Sequence, residues 1–196
     1  MISDHLRRWS RRIVEPIARA LLRLGLTPNS LTLLGLGLVT IPAVLLALGR
    51  LQLAGVLILI FSAFDAFDGA LARLSGRVTR FGAFLDSTLD RVSEGLLFLG
   101  LLIYFTQSGD PLSVYATYIA LLGSLLVSYT RARAEGLGLR SPSGWFTRVE
   151  RILLLSLGLI VGWVRPLLWI LAVLTNITAV QRILQVYRMT RGDTDS

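Results

Sequence analysis

Residues 24–49 and 111–130 carry no charge at all. A helix needs about 20 mostly apolar residues to cross a bilayer. Within lipid, every backbone polar group must find its partner inside the protein. These two runs therefore restrict the chain to helices packed in a membrane. Four shorter apolar runs, 51–64, 95–109, 152–164 and 166–181, are cut off by charges at their ends. Extended through those charges they become helices over about 51–74, 82–107, 148–164 and 166–188. The expected fold is all-α: a polytopic membrane protein with six transmembrane helices.

Hydrophobic residues make up 54% of the chain and charged residues 16%. Soluble domains average about 45–50% and about 25%, so a disordered chain is excluded and an ordinary soluble enzyme is disfavoured. All 20 basic residues are arginines, and the net charge is +8. With hydropathy this high, that charge points to anionic lipid or an acidic substrate and not to nucleic acid. All the arginines except Arg50 and Arg165 lie before the first apolar run, beside the second and fourth connections, or near the C-terminus. By the positive-inside rule both termini and those connections face the cytoplasm, as in a multi-pass plasma-membrane protein.

Residues 1–23 space Leu6, Trp9, Ile13, Ile17 and Leu21 at helical intervals with arginines between them. This reads as an amphipathic juxtamembrane helix on the cytoplasmic surface, with Pro16 starting a second segment. Thr27-Pro28-Asn29-Ser30 forms a turn and a cap for the first membrane helix. Residues 24–188 form the transmembrane domain, and 189–196 are expected to be a disordered tail.

The acids occupy unexpected places. Asp65 and Asp68 fall near the cytoplasmic end of the second apolar helix, and Asp86 and Asp90 at the matching end of the third. Spacings of three and four put each pair on one helix face. The short connection between the helices brings the pairs to similar depth. Each intramembrane Asp costs about 2.5–3.5 kcal/mol at mid-helix, and clustered carboxylates repel one another. Two divalent cations relieve both costs, since four negative charges meet four positive ones. Cys is absent and His5 is the only histidine, which excludes thiol catalysis and a Cys/His zinc site. Oxygen donors suit Mg²⁺ or Mn²⁺, and two-metal clusters serve chemistry at phosphorus. The competing arrangement pairs these acids with Arg73, Arg80 and Arg91, which does not require four acids in register. Gly69 and Gly82 lie beside the acid pairs, where a small residue admits a ligand closely. Arg73 suits a phosphate oxygen.

Written out, the region is Asp65-x2-Asp68-Gly69-x2-Ala72-Arg73-x8-Gly82-x3-Asp86-x3-Asp90. It resembles the signature of the CDP-alcohol phosphatidyltransferases at every fixed position. The resemblance implies attack by an acceptor hydroxyl on the phosphorus nearest the lipid in CDP-diacylglycerol, with loss of CMP. It implies that Asp65, Asp68 and Asp86 hold two metal ions per site. Asp90 would contact a metal and take the acceptor's proton. Gly69, Ala72, Arg73, Thr79 and Gly82 would line the CDP-lipid pocket, with Asn29 and Thr32 near the nucleotide. It also suggests a homodimer.

The segment Ser128-Tyr129-Thr130-Arg131-Ala132-Arg133-Ala134-Glu135 resembles the branch that makes phosphatidylinositol phosphate and its archaeal ether-lipid counterpart. Ser128, Arg131, Arg148, Arg151 and Arg182 are the corresponding acceptor-binding candidates, and the acceptor is a phosphorylated alcohol, best matched by inositol phosphate. Glu135 and Glu150 are expected to pair with arginines. Glycerol 3-phosphate, also anionic, is the alternative acceptor. A divalent-cation transporter is the remote alternative, disfavoured because no repeat is visible and the acids lie toward one side.

Overall fold

The computed structural model describes residues 25–62, 79–140 and 144–191, with 16, 19, 20, 22, 23 and 71 besides. Most of the juxtamembrane segment, residues 192–196 of the tail, and Asp65, Asp68, Gly69, Ala72 and Arg73 lie outside the described residues. Among the described residues there are six helices and no strands: α1 Pro28–Ala47, α2 Leu51–Ser62, α3 Arg80–Gln107, α4 Pro111–Gly136, α5 Arg148–Val161 and α6 Val164–Thr190. The described part of the chain is thus all-helical.

Local sequence sets the ends. Thr27 caps α1 in a reciprocal box: Ser30 N–H donates to Thr27 Oγ1 at 3.1 Å, and Thr27 N–H donates to Ser30 Oγ at 2.9 Å. Pro28 follows in the first turn, where its missing N–H costs nothing. Asp110 caps α4 by accepting from Ser113 N–H at 3.2 Å and from Ser113 Oγ at 2.8 Å. Two turns require glycine. Gly109 (φ +68°) ends α3 and Gly162 (φ +84°) ends α5, both in the left-handed region that side chains avoid.

Among the described residues, three helices, α1, α4 and α6, are long and apolar enough to cross a membrane, and α2 is a shorter apolar helix. Charge keeps α3 out of that group, since Asp86, Asp90, Arg91 and Glu94 lie within it. Length keeps out α5, which has 14 residues. α4 continues past Thr130 to Gly136. Arg131 to Glu135 therefore extend the helix beyond its apolar part and do not form a loop. The i,i+4 pair of Arg131 Nε with Glu135 Oε1, at 3.0 Å, supports that last turn. α6 likewise runs to Thr190, into the segment expected as tail.

The helix contacts close a ring in the order α1, α3, α4, α6, α5, α2 and back to α1. Leu46, Leu97, Leu101, Leu155, Leu159, Leu168 and Leu171 fill its core. Small residues set the spacing of the helices, as they do where lipid leaves no hydrophobic drive between them. A Cβ on Gly55 of α2 would sit 2.8 Å from Leu159 Cβ and 2.9 Å from the Ser156 carbonyl of α5. Buried hydroxyls bond within their own helices: Thr117 donates to the Ser113 carbonyl, Ser156 to Ile152 and Thr175 to Leu171.

Candidate active site

α1, α3 and α5 run parallel, with α4 and α6 opposed to α3 and α5 through tight turns. The N-terminal ends of the first set therefore meet the C-terminal ends of the second. Every described candidate residue lies at that one end.

On the side of α1 and α3, Thr79 caps α3 by accepting from Gly82 N–H at 2.9 Å. A Cβ on Gly82 would lie 3.0 Å from Thr79 Oγ1 and 3.2 Å from Asn29 Oδ1. Asn29, Thr79 and Gly82 are thus brought together so closely that a side chain at 82 would crowd the other two. Thr32, one turn along α1, donates its hydroxyl to the Pro28 carbonyl. Asp86 is one turn past Gly82 and half-buried. Among the described residues, no three His, Cys, Asp or Glu side chains gather as a metal site. The two described members of the predicted cluster, Asp86 and Asp90, are one turn apart, and both offer only oxygen.

α3 and α5 are joined by a ladder of two ion pairs. In the outer rung, Arg148 Nη2 lies 3.0 Å from Asp90 Oδ1, while Arg91 Nη2 lies 3.2 Å from Asp90 Oδ2. In the inner rung, Arg151 donates from Nε at 2.8 Å and from Nη2 at 3.0 Å to the two oxygens of Glu94. Both inner side chains are 2% exposed. The ladder follows from spacing: Asp90 and Glu94 are four apart on one helix, and Arg148 and Arg151 three apart on the other. α5 begins next to this ladder because Thr147 and Glu150 close a capping box, in which Glu150 Oε2 accepts from the Thr147 N–H at 2.8 Å and from its hydroxyl. Glu150, expected to pair with an arginine, is thus a cap.

A cleft of about 300 Å³ opens beside the ladder between α3, α4, α5 and α6. All five acceptor candidates, Ser128, Arg131, Arg148, Arg151 and Arg182, line it, together with Ser87, Arg91 and Glu135. Arg182 is buried, donates from Nη1 to the Val127 carbonyl, and is backed by Gly144, where a Cβ would come within 2.7 Å of its Nε and Nη2. Arg91 Nε, Arg151 Nη1 and Arg182 Nε are buried donors without an acceptor among the described residues.

Sequence reasoning missed Glu94 and Arg91 as members of this site. The signal for Glu94 was present, since Asp86, Asp90 and Glu94 recur every four residues along one face of α3. It assigned Arg148 to the acceptor alone, whereas Arg148 also pairs with Asp90.

The family model "CDP-alcohol phosphatidyltransferase" matches residues 25–181. The phosphatidylinositol phosphate synthase of Mycobacterium tuberculosis is 44% identical over 188 residues, covering 90% of this chain and 86% of the relative. That of Corynebacterium glutamicum is 38% identical, covering 93% and 88%. The crystal structure of the M. tuberculosis synthase with CDP-DAG bound superposes with a TM-score of 0.84 at 42% identity, covering 90% of this chain and 94% of that one. Its complex with manganese and citrate gives 0.85 at 41% identity, covering 89% of each chain.

Proposed function

Because this chain belongs to the CDP-alcohol phosphatidyltransferase family, we propose that it transfers the phosphatidyl group of CDP-diacylglycerol to a hydroxyl of inositol phosphate, releasing CMP. The observation that carries the choice of a phosphorylated acceptor is the cleft beside Asp90, and the synthases that the chain resembles favour inositol phosphate over glycerol 3-phosphate. Its arginines 91, 131, 148, 151 and 182 face the carboxylates of Asp90, Glu94 and Glu135. Five charges against three leave two positive, which matches a phosphate monoester carrying about two negative charges at neutral pH.

Each group then has one task. Arg131, Arg151 and Arg182 hold the acceptor's phosphate, and Ser128 hydrogen-bonds the acceptor. The acceptor's hydroxyl faces Asp90, whose carboxylate is oriented by Arg91 and Arg148. As the hydroxyl oxygen bonds to the phosphorus nearest the diacylglycerol, Asp90 takes its proton. The bond from that phosphorus to the CMP oxygen breaks, and CMP leaves. Asn29, Thr32, Thr79 and Gly82, with Gly69, Ala72 and Arg73, hold the cytidine diphosphate side. Asp65, Asp68, Asp86 and Asp90 would hold Mg²⁺ or Mn²⁺, two per site, for which an all-carboxylate donor set is suited. Bound there, the metal supplies positive charge to the pyrophosphate and the departing CMP.

The same reading makes the chain a multi-pass protein of the plasma membrane, with six crossings, both termini and the site cytoplasmic, and residues 1–23 on the membrane surface. The arginine distribution supports this orientation. It also takes the enzyme to be a homodimer, on the resemblance alone.

The test is CMP release from CDP-diacylglycerol by the purified protein with Mg²⁺ or Mn²⁺, one alcohol at a time. Inositol phosphate should support release. Release with glycerol 3-phosphate and not inositol phosphate would replace the acceptor, and silence with every alcohol would end the enzymatic reading. Asp90→Asn should lower turnover by about 10²–10⁴-fold while CDP-diacylglycerol binding, measured directly, is largely kept.

A further inference from the structure

Glu94 does not line the cleft, yet it governs how one cleft arginine is presented. A guanidinium carries five N–H donors in one rigid plane. Glu94 grips the edge formed by Nε and Nη2, at 2.8 and 3.0 Å. With that edge fixed, the position of Nη1 is fixed as well. Nη1 is buried and has no acceptor among the described residues, while Arg151 lines the cleft. Buried donors in folded proteins almost always have partners, so an unpaired one on an arginine that lines the cleft marks a bond left for a ligand oxygen.

We propose that Glu94 is a positioning residue: its carboxylate clamps Arg151 so that Nη1 meets the phosphate of the acceptor. This rests on the transfer to a phosphorylated alcohol proposed above. Arg91 and Arg182 are built on the same plan by other anchors. Arg91 is held at Nη2 by Asp90 and keeps Nε open, and Arg182 is held at Nη1 by the Val127 carbonyl and keeps Nε open. The Arg151 anchor differs in being a bidentate bond to a buried carboxylate. Two bonds fix its plane where one holds each of the others, so Arg151 is the most rigidly presented of the three.

Charge alone predicts the opposite effect of losing Glu94, which makes the idea testable by sign. Removing this carboxylate adds one positive charge near the cleft, and a role limited to charge balance would then give tighter binding of an anionic acceptor. A positioning role gives weaker binding, because Arg151 loses its orientation.

The experiment measures kcat and both KM values for full-length wild type, Glu94→Gln and Glu94→Asp. For Glu94→Gln the KM for inositol phosphate should rise about tenfold or more, the worth of one charge-assisted hydrogen bond. The KM for CDP-diacylglycerol should stay within about twofold, as for a loss confined to acceptor binding. Glu94→Asp, which keeps the charge on a shorter arm, should fall between wild type and Gln. An acceptor KM that falls or holds in Glu94→Gln overturns the proposal, and so do two KM values rising together. If Glu94→Gln does not fold, Arg151→Lys answers the same question. It keeps the charge and a bond to Glu94 but has no second edge to present, so its acceptor KM should rise, and an unchanged value overturns the proposal. A wild type that releases no CMP with any phosphorylated alcohol removes the transfer reading and this inference together. An active wild type with unaffected variants removes this inference alone.

Discussion

Two arginine–carboxylate pairs of nearly equal length lie at opposite ends of the bundle. Arg151 and Glu94 meet at 2.8 Å beside the cleft, and Arg165 and Asp110 meet at 2.7 Å where α3 turns into α4 and α6 begins. Their surroundings differ completely. The first pair is 2% exposed on both sides, whereas Arg165 is 73% and Asp110 15% exposed. Distance alone would rank them equal. The second pair is nearly dispensable, because water solvates Arg165 without Asp110, and Asp110 keeps its two bonds from Ser113 without Arg165. Exclusion of water makes the first pair indispensable once built, since neither partner has another source of solvation.

The largest effect should separate the two pairs outright. Arg151→Ala leaves Glu94 buried and unpaired, and should cost about 3–5 kcal/mol of stability. Arg165→Ala should leave the melting temperature close to that of wild type. Thermal unfolding in detergent checks both, and equal losses would break the comparison.

A smaller effect concerns the arginine held without a bidentate partner. Gly144→Ala places a methyl group against the Arg182 guanidinium, at 2.7 Å from Nε and Nη2. The side chain must shift, and the acceptor KM should rise about threefold to tenfold from its misplacement with little change in melting temperature. If the acceptor KM does not change, Arg182 does not hold the phosphate.

The smallest effect belongs to the far end. The Ser113 hydroxyl, the Ser113 N–H and then Arg165 hold the Asp110 carboxyl below its ordinary value of 3.8, against the opposing pull of burial. A depressed folded value means that Asp110 stabilises the protein at pH above its unfolded value and loses that contribution as pH falls through the folded one. Ser113→Ala removes the largest cause, so acid unfolding should begin at slightly higher pH. The acceptor KM should not change, since the turn is remote from the cleft. A change in KM would show the two ends to be coupled.

Much of this division was legible in the residues. Apolar runs located the helices, and arginine placement singled out Arg50 and Arg165 as the exceptions. The acceptor candidates Ser128, Arg131, Arg148, Arg151 and Arg182 do line one cleft. Where α4 ends was not legible, because hydropathy stops at Arg131 while the helix goes on to Gly136. Partner choice was also illegible. Arg148 and Arg151 could be matched to Asp90 and Glu94 only once α3 and α5 were seen to be parallel and in register. Glu94 was passed over although it continues the spacing of Asp86 and Asp90, because its role is set by an arginine 57 residues away.

That separation has a consequence for how the protein is made. The two acids of the ladder emerge from the ribosome before either of their arginines. At about 5–20 residues per second, 57 residues take about 3–11 s. Through that interval Asp90 has Arg91 beside it, but Glu94 waits in an unfinished ring with no cation yet supplied by α5. Neutralisation of Glu94 is therefore a late event, and a nascent chain halted before α5 would hold an uncompensated acid in its interior.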